Sequence, residues 1–435
     1  MKAYQQIGSI VSYLSLFSML CVVATVPFYY GWCQRISLYL FALCYPLDYV
    51  VNRRWKGWHW SEDKWVYILM IAFFLLTPLW QLFDTTPPTP FYYHQLSLRV
   101  AFLVIGAMGL LGMTDKLRPT YVGYTMLLTS VCIIGYVLYK VQPLRCSSWH
   151  GFEAAFNWWR MCKVHSHMVV DVYMNIALVF GYHILRQPLR RWIKVVTGVL
   201  MVVVLFGLSI SDGRTGLVTA ACVALVLGVY VVSQWNKRLT IPVLLLTVFI
   251  GGWIVMQNQR INEDALRREP RWVVWRYSVE MAMDSPISGY GLSTLSRKFV
   301  EESVVDEEMN ARYIHGVLDS QCFKDVPRTM TFIHPHNVFL ALWLEYGFIG
   351  PLLYLMLLIV SGLCAVRGRR IYMWMSAFVI FSQSMFEPLG DHLLPIQIGI
   401  VLLVWLANSQ SQVYRSKPSA HSSMSIIPPS SEAHS

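Results

Sequence analysis

The chain has 435 residues, of which 56% are hydrophobic and only 14% are charged. A soluble globular protein carries about 25% charged residues, so the composition excludes an ordinary soluble enzyme and a disordered protein. The formal net charge of +11 comes from basic residues in short, separated loops, which favours attraction to anionic membrane lipids over nucleic-acid binding.

Apolar runs long enough to cross a bilayer of about 30 Å recur along the whole chain, which predicts an all-α integral membrane protein. We predict about twelve transmembrane helices, nine within residues 1–257 and three within 338–408. Residues 258–337 then form one large loop that contains helices, and the Ser- and Pro-rich tail 409–435 is predicted to be disordered. The predicted spans are 8–28, 35–51, 65–83, 100–113, 121–141, 168–185, 195–210, 216–234, 240–257, 338–365, 371–387 and 394–408.

The connecting loops of this predicted topology sort by charge. Fifteen Lys and Arg residues lie on every second loop, and the positive-inside rule places those loops in the cytoplasm together with both termini. The spans 100–113 and 195–210 are short, so a re-entrant alternative stays open for these two.

The opposite, outward side of the membrane receives the loops of unusual composition. The segment 142–167 is rich in Trp and His, and its Cys146 and Cys162 could form a disulfide in an oxidising compartment. In the large loop, residues 265–284 are predicted to form a helix that stops before Ser285-Pro286.

Two groups of arginines on this side are candidates for anion binding. Arg214 lies between Gly213 and Gly216, and glycines allow a backbone to approach a ligand closely. The alternative is an arginine that snorkels to lipid headgroups or pairs with Asp212.

The second group is Arg267, Arg268, Arg271 and Arg276 in the large loop. On a helix the first three of these residues lie within about one turn of each other, and such a face could bind a diphosphate through bidentate hydrogen bonds. The neighbouring Trp272 and Trp275 leave a second interpretation open, an interfacial helix at headgroup level.

His336 and Asn337 come directly before the tenth predicted span. A histidine at a membrane edge can accept a proton near neutral pH, and Asp391 in the last outward loop is a candidate to orient its imidazole. A solvated turn explains Asp391 equally well. His334 lies two residues before His336, but no carboxylate stands nearby at a ligand spacing, so no metal site is predicted.

The predicted topology places Arg214, the arginine helix, His336 and Asp391 on one side of the membrane. Arginines and a histidine base at a bilayer surface suit one reaction. They would bind a lipid diphosphate, stabilise it as a leaving group and activate an acceptor hydroxyl.

The motif at His336 resembles a known family pattern. His336-Asn337 is followed by nine residues and then by Gly347-Phe348-Ile349-Gly350. This is similar to the pattern of O-antigen ligases, within the O-antigen ligase/polymerase superfamily: His, then Asn, Ser or Gln, nine residues, Gly, two residues and Gly. The twelve-span layout and the large outward loop before the motif are also similar. Arg214 resembles the family's outward arginine after the seventh span, and Arg271 resembles its loop arginine.

The resemblance implies a GT-C-like glycosyltransferase of the bacterial inner membrane with a periplasmic active site. The implied donor is O-antigen linked to undecaprenyl diphosphate, and the implied acceptor is a sugar hydroxyl of lipid A-core. The implied mechanism is inverting and needs neither a metal ion nor another cofactor. The implied catalytic residues are His336, Arg214 and Arg271. The implied substrate-binding residues are Arg214, Arg271, Arg267, Arg268, Asn337 and Asp391.

Other activities stay open at this point. O-antigen polymerases of similar layout often carry Arg, ten residues and Gly in two outward loops, and no outward arginine here has that spacing. Protein O-oligosaccharyltransferases share the His-Asn-glycine motif but are typically longer. A transporter of lipid-linked glycans would need ionisable residues deep in the spans, for which Asp171 and Glu345 are the only carboxylate candidates.

Overall fold

The computed structural model describes residues 2–28, 32–54, 63–82, 90–111, 118–141, 167–210, 214–235, 271–291, 337–367 and 370–386, with single residues at 241–249, 335 and 399. All elements in these ranges are helices. They are α1 (Lys2–Thr25), α2 (Trp32–Val51), α3 (Lys64–Gln81), α4 (Pro90–Leu111), α5 (Pro119–Val141), α6 (His167–Leu185), α7 (Arg191–Ile210), α8 (Arg214–Trp235), α9 (Arg271–Asp284), α10 (Val338–Tyr346), α11 (Ile349–Arg367) and α12 (Ile371–Phe386).

Many of these helices have the length and composition of membrane spans. Within the described ranges, α1, α3, α5, α7, α8 and α11 each contain at least 18 consecutive residues that are apolar enough to cross a bilayer. Large apolar side chains such as Leu43, Val199 and Leu363 are more than half exposed, which suits contact with lipid. The chain is therefore a multi-pass membrane protein. The count of twelve spans stays a prediction, because 240–257 and 394–408 lie almost wholly outside the described residues.

The two spans predicted to be short correspond to longer helices. Helix α4 has 22 residues and α7 has 20, or about 33 Å and 30 Å at 1.5 Å per residue. The predicted span in α4 began after Arg99 because an ionised side chain interrupts an apolar run. In the structure Arg99 is only 3% exposed and the helix continues through it, since its charge is matched by buried partners.

The single predicted span 338–365 is wrong, because this segment forms two helices. Helix α10 ends before Gly347, whose backbone has a φ of 64°. That left-handed conformation costs glycine little and other residues much more. A hydropathy pattern does not indicate this turn, since the residues on both sides of it are apolar.

Two contacts across the turn show that the chain reverses direction there. A Cβ atom added to Gly350 would lie 2.6 Å from the carbonyl oxygen of Leu342, and the rings of Phe339 and Tyr354 have centroids 5.4 Å apart. In one continuous helix these two pairs would be about 12 Å and 22 Å apart. Helices α10 and α11 therefore form an antiparallel hairpin, and α11 alone has the length of a span.

Helix α6 lies at the centre of the bundle. Every side chain from Asp171 to Phe180 is buried, whereas a surface helix buries only one stripe. The Tyr173 hydroxyl donates to the Val23 carbonyl of α1 at 2.9 Å, and the Phe180 ring packs on Tyr372 of α12 with centroids 5.5 Å apart. Because neighbours surround α6, its first turns provide a fixed surface for the helices that meet there.

A buried ion pair marks one end of the bundle. Arg370, just before α12, donates to both carboxylate oxygens of Asp63, just before α3, at 3.0 and 3.1 Å. We call this the Arg370 end. Helices α3 and α12 start there, α11 finishes there, and α10 lies at the opposite end. We call that opposite end the Asn337 end.

Candidate functional site

Asn337, the second residue of the His-Asn motif, holds the start of α10 in place. Its side-chain oxygen accepts a hydrogen bond from the Leu340 backbone N–H at 3.1 Å, which caps a donor that the helix cannot satisfy itself. Its side-chain nitrogen donates to the Met385 carbonyl in the last turn of α12, also at 3.1 Å. One side chain therefore both starts α10 and ties it to α12.

The first motif glycine, Gly347, lets a second segment dock on the hairpin. A Cβ atom on Gly347 would lie 1.9 Å from the carbonyl oxygen of Ile287, so the turn that follows α9 rests directly on its backbone. The Phe348 N–H next to it donates to the Pro286 carbonyl at 2.9 Å. The second glycine, Gly350, is the residue whose close contact with Leu342 seals the hairpin. The spacing of the motif is thus the spacing of this short hairpin.

We expect Gly347→Ala to destabilise the protein by about 3 kcal/mol or more, because it adds backbone strain and a steric clash together. Thermal unfolding in detergent would measure the loss. Gly228→Ala in α8 is the matched control, because no atom lies within 4 Å of the Cβ it adds and alanine favours a helix. Equal thermal unfolding midpoints for Gly347→Ala and Gly228→Ala would contradict this role of Gly347 in the motif.

The first turn of α8, which begins at Arg214, is fixed against α6. The Asn175 side chain donates to the carbonyls of Gly216 at 3.0 Å and Asp171 at 2.8 Å. A Cβ atom on Gly216 would lie 2.4 Å from an Asp171 carboxylate oxygen, so glycine allows the carboxylate to sit against the helix start. A negative charge there interacts favourably with the helix dipole.

Helix α8 is joined to the same end of α12 that binds Asn337. The Gln383 side chain donates to the Thr219 hydroxyl at 3.2 Å, and that hydroxyl lies 3.2 Å from the Ser382 hydroxyl. Gln383 and Thr219 are both buried. Thr219 is five residues after Arg214, and Gln383 is two residues before Met385. The beginnings of α8 and α10 therefore meet around the last turns of α12, at the Asn337 end.

Helix α9, which begins at Arg271, is connected to α10 through the turn at its carboxyl end. The backbone N–H groups of Tyr290 and Gly291 donate to the carbonyls of Leu344 and Glu345 at 2.7 and 3.0 Å. The Trp343 indole also donates to a carbonyl in this turn, at 3.2 Å. The predicted stop of this helix before Ser285 is confirmed. Helices α9 and α10 thus share one framework.

The structure describes the predicted site residues to different degrees. Asn337 is described with its side chain, and Arg214 and Arg271 are described by their backbone, as the first residues of α8 and α9. Predicted residues that lie outside the described part are His336, Arg267, Arg268, Asp391, Cys146 and Cys162.

Sequence reasoning missed a buried polar cluster at the Asn337 end, which we call the anchor cluster. It consists of Arg99, Thr77, Glu345 and Tyr346, each at most 3% exposed. The Arg99 guanidinium donates to the Thr77 and Tyr346 hydroxyls, which are 2.9 Å apart, and lies 3.8 Å from the Glu345 carboxylate. The sequence signal that could have indicated this cluster is the presence of Arg99 and Glu345 within apolar segments, since charged residues inside a membrane protein usually pair with each other.

An open cleft of about 340 Å³ lies beside the hairpin turn. Trp80 of α3 forms one wall, the turn 287–291 forms the floor, and Phe348 and Ile349 close the other side. The Trp80 indole donates to the Ser288 carbonyl at 2.5 Å, which fixes that wall to the floor. The cleft has the size of a small ligand site and borders the hairpin that starts at Asn337.

Comparisons with known proteins give matches to the part of the chain that contains the motif. Residues 171–355 match the O-antigen ligase family. A protein of Rickettsia conorii, provisionally named as a polysaccharide ligase, is 26% identical over 171 residues, which is 37% of each chain. The family match starts in α6 at Asp171 and includes Arg214, Arg271, His336-Asn337 and both motif glycines.

Proposed function

We propose that this membrane protein is an O-antigen ligase, a glycosyl-transferring enzyme, because residues 171–355 match the O-antigen ligase family that the motif at His336 also resembles. It transfers O-antigen polysaccharide from undecaprenyl diphosphate to a sugar hydroxyl of lipid A-core. The reaction takes place at the periplasmic face of the bacterial inner membrane, with both termini in the cytoplasm, and completes lipopolysaccharide.

One observation carries this proposal. The helix that begins at Arg214 and the helix that follows His336-Asn337 meet at the same end of α12, through Thr219–Gln383 and Asn337–Met385. Arg214 and His336 are more than 100 residues apart in the sequence. A transferase for a lipid diphosphate needs an anion-binding group and a base on one side of the membrane, and this convergence supplies the framework for both.

We assign the steps as follows. His336 accepts the proton of the acceptor hydroxyl while that oxygen attacks the anomeric carbon of the donor sugar. The bond from this carbon to the diphosphate oxygen breaks on the opposite face, which inverts the configuration. Arg214 and Arg271 stabilise the negative charge that develops on the departing undecaprenyl diphosphate. The proton on His336 then passes to solvent, and the free base is restored.

Four further residues support these steps in the proposal. Arg267 and Arg268 extend the positive surface toward the diphosphate, and Asp391 orients the His336 imidazole. Asn337 acts through its cap of α10, because its side chain is already bonded to Leu340 and Met385. We therefore place Asn337 as a support of the base more than as a direct ligand of the acceptor.

The distribution of charge supports the proposed orientation. The two short segments with four basic residues each, 53–64 and 186–194, connect α2 to α3 and α6 to α7 at the Arg370 end, where Asp63 and Arg370 pair. By the positive-inside rule this end faces the cytoplasm. The Asn337 end, with the hairpin and the cleft, then faces the periplasm, where lipid-linked O-antigen and lipid A-core would meet.

We expect transfer to continue in EDTA, because the arginines take the part that a divalent cation plays in many glycosyltransferases. Glycan transfer by the purified protein would be measured with and without chelator. A rate that falls with EDTA and recovers with Mg²⁺ or Mn²⁺ would contradict the proposed mechanism.

A further inference from the structure

We propose that the anchor cluster positions the reacting groups, with Arg99 and Glu345 as positioning residues that act through α10. This inference rests on the proposed function, because it assumes that the base stands at the start of α10. None of the four residues of the cluster touches the proposed substrates, since all are buried.

The anchor cluster fixes the end of α10 that Asn337 does not hold. Helix α10 has only nine residues, and its start is bonded to α12 through Asn337. At its other end, Tyr346 contacts Thr77 of α3 and Arg99 of α4, while Glu345 faces the Arg99 guanidinium. The helix is thus held between two parts of the bundle, and Arg99 is the common partner of both terminal residues.

Glu345 also connects the two arms of the proposed site. Its carboxylate faces Arg99, and its backbone carbonyl accepts the Gly291 N–H at 3.0 Å. Gly291 belongs to the turn that follows α9, the helix that begins at Arg271. A shift of Glu345 would therefore move the base-bearing helix and the arginine-bearing helix together.

A small movement of α10 at Glu345 would displace the start of the helix, where the base stands in the proposal. Glu345 lies eight residues after Asn337, or about 12 Å along the helix. A tilt of about 5° at the anchor would displace the start of α10 by about 1 Å, and a misplacement of that size can cost about 100-fold in rate.

A buried ion pair is a poor device for stability alone. Removing two charges from water costs about as much as their attraction returns, so apolar residues of similar size often stabilise a protein as well or better. A guanidinium orients its partners, because its planar group of N–H donors contacts three of them in one fixed arrangement. We infer that the arrangement, more than the energy, explains a buried arginine at this end of the bundle.

The test compares two matched charge removals in the full-length protein. Glu345→Gln breaks the anchor, and Asp63→Asn breaks the buried Asp63–Arg370 pair at the opposite end. Thermal unfolding, kcat and KM for lipid A-core, and hydrogen exchange of the amides of α10 would be measured for each.

We expect Glu345→Gln to lower kcat by about 10- to 100-fold, with KM within about threefold of wild type, and to speed exchange across 338–346. We expect Asp63→Asn to lower the unfolding midpoint while kcat and exchange in α10 stay near wild type.

Equal losses of kcat in the two variants at equal thermal stability, or unchanged exchange in α10 of Glu345→Gln, would overturn the proposal. If Glu345→Gln does not fold, Tyr346→Phe and Arg99→Lys take its place with the same expectations, because each alters the anchor without removing its bulk. The exchange measurement does not depend on the reaction. A wild-type protein that transfers no glycan would thus count against the proposed function, while the exchange data would still decide whether the anchor holds α10.

Discussion

Replacing His336 with alanine is expected to lower glycan transfer by about 100- to 10,000-fold, the usual contribution of a general base. The acceptor hydroxyl is a weak nucleophile until its proton is removed, and no other residue of the His-Asn motif can accept that proton. The fold should be intact, because the contacts that hold α10 belong to Asn337, Glu345 and Tyr346. The measurement is the transfer rate of purified protein with a saturating donor.

The matched control is His334→Ala, which removes the same side chain two residues earlier. We expect this variant to transfer glycan at a rate close to wild type, with the same unfolding midpoint as His336→Ala. Near-normal transfer by His336→Ala, or an equal loss in both variants, would remove His336 as the base.

Arg214→Lys is expected to lower transfer by about 100-fold or more, as the loss of one group that stabilises transition-state charge does in other enzymes. Lysine keeps the charge but cannot reproduce the planar, bidentate fork that fits a phosphate group. The backbone should tolerate the change, because the first turn of α8 is held by Asn175 and Asp171 through backbone carbonyls and the helix start. Transfer rates at several donor concentrations would show the loss.

Arg191→Lys provides the control, because Arg191 is exposed and begins α7 at the Arg370 end, away from the proposed site. It should leave transfer unchanged. Full activity in Arg214→Lys would favour the alternative that this arginine only snorkels to lipid headgroups.

The sequence predicts the positions of most helices because hydrophobic length is a strong local signal in membrane proteins. It could not predict the hairpin at Gly347, where apolar residues continue through a turn that one left-handed glycine permits. It also placed Arg99 at the edge of a span, since a charge within apolar sequence looks like a boundary until its partner Glu345 is known. That partner is almost 250 residues away, and no local pattern connects the two.

The sequence likewise predicts only part of the candidate site. The chemistry of His336, Arg214 and Arg271 follows from residue type and motif, and all three stay predictions of role. The structure adds the framework around them, in which Gln383 and Met385 join α8 to α10. Nothing in the sequence near Gln383 indicates that the two motifs meet there, because that contact depends on how α12 packs. Asn337, Gly347 and Gly350 are the motif residues whose structural roles the structure shows directly.

The most direct test of the account is transfer by the purified protein in proteoliposomes, with undecaprenyl-diphosphate-linked O-antigen, lipid A-core and EDTA. We predict that wild type forms a ladder of glycan on lipid A-core and that His336→Ala forms none. Glycan that instead grows on its lipid carrier, or appears on a protein supplied alongside, would contradict the ligase assignment and indicate a polymerase or a protein O-oligosaccharyltransferase.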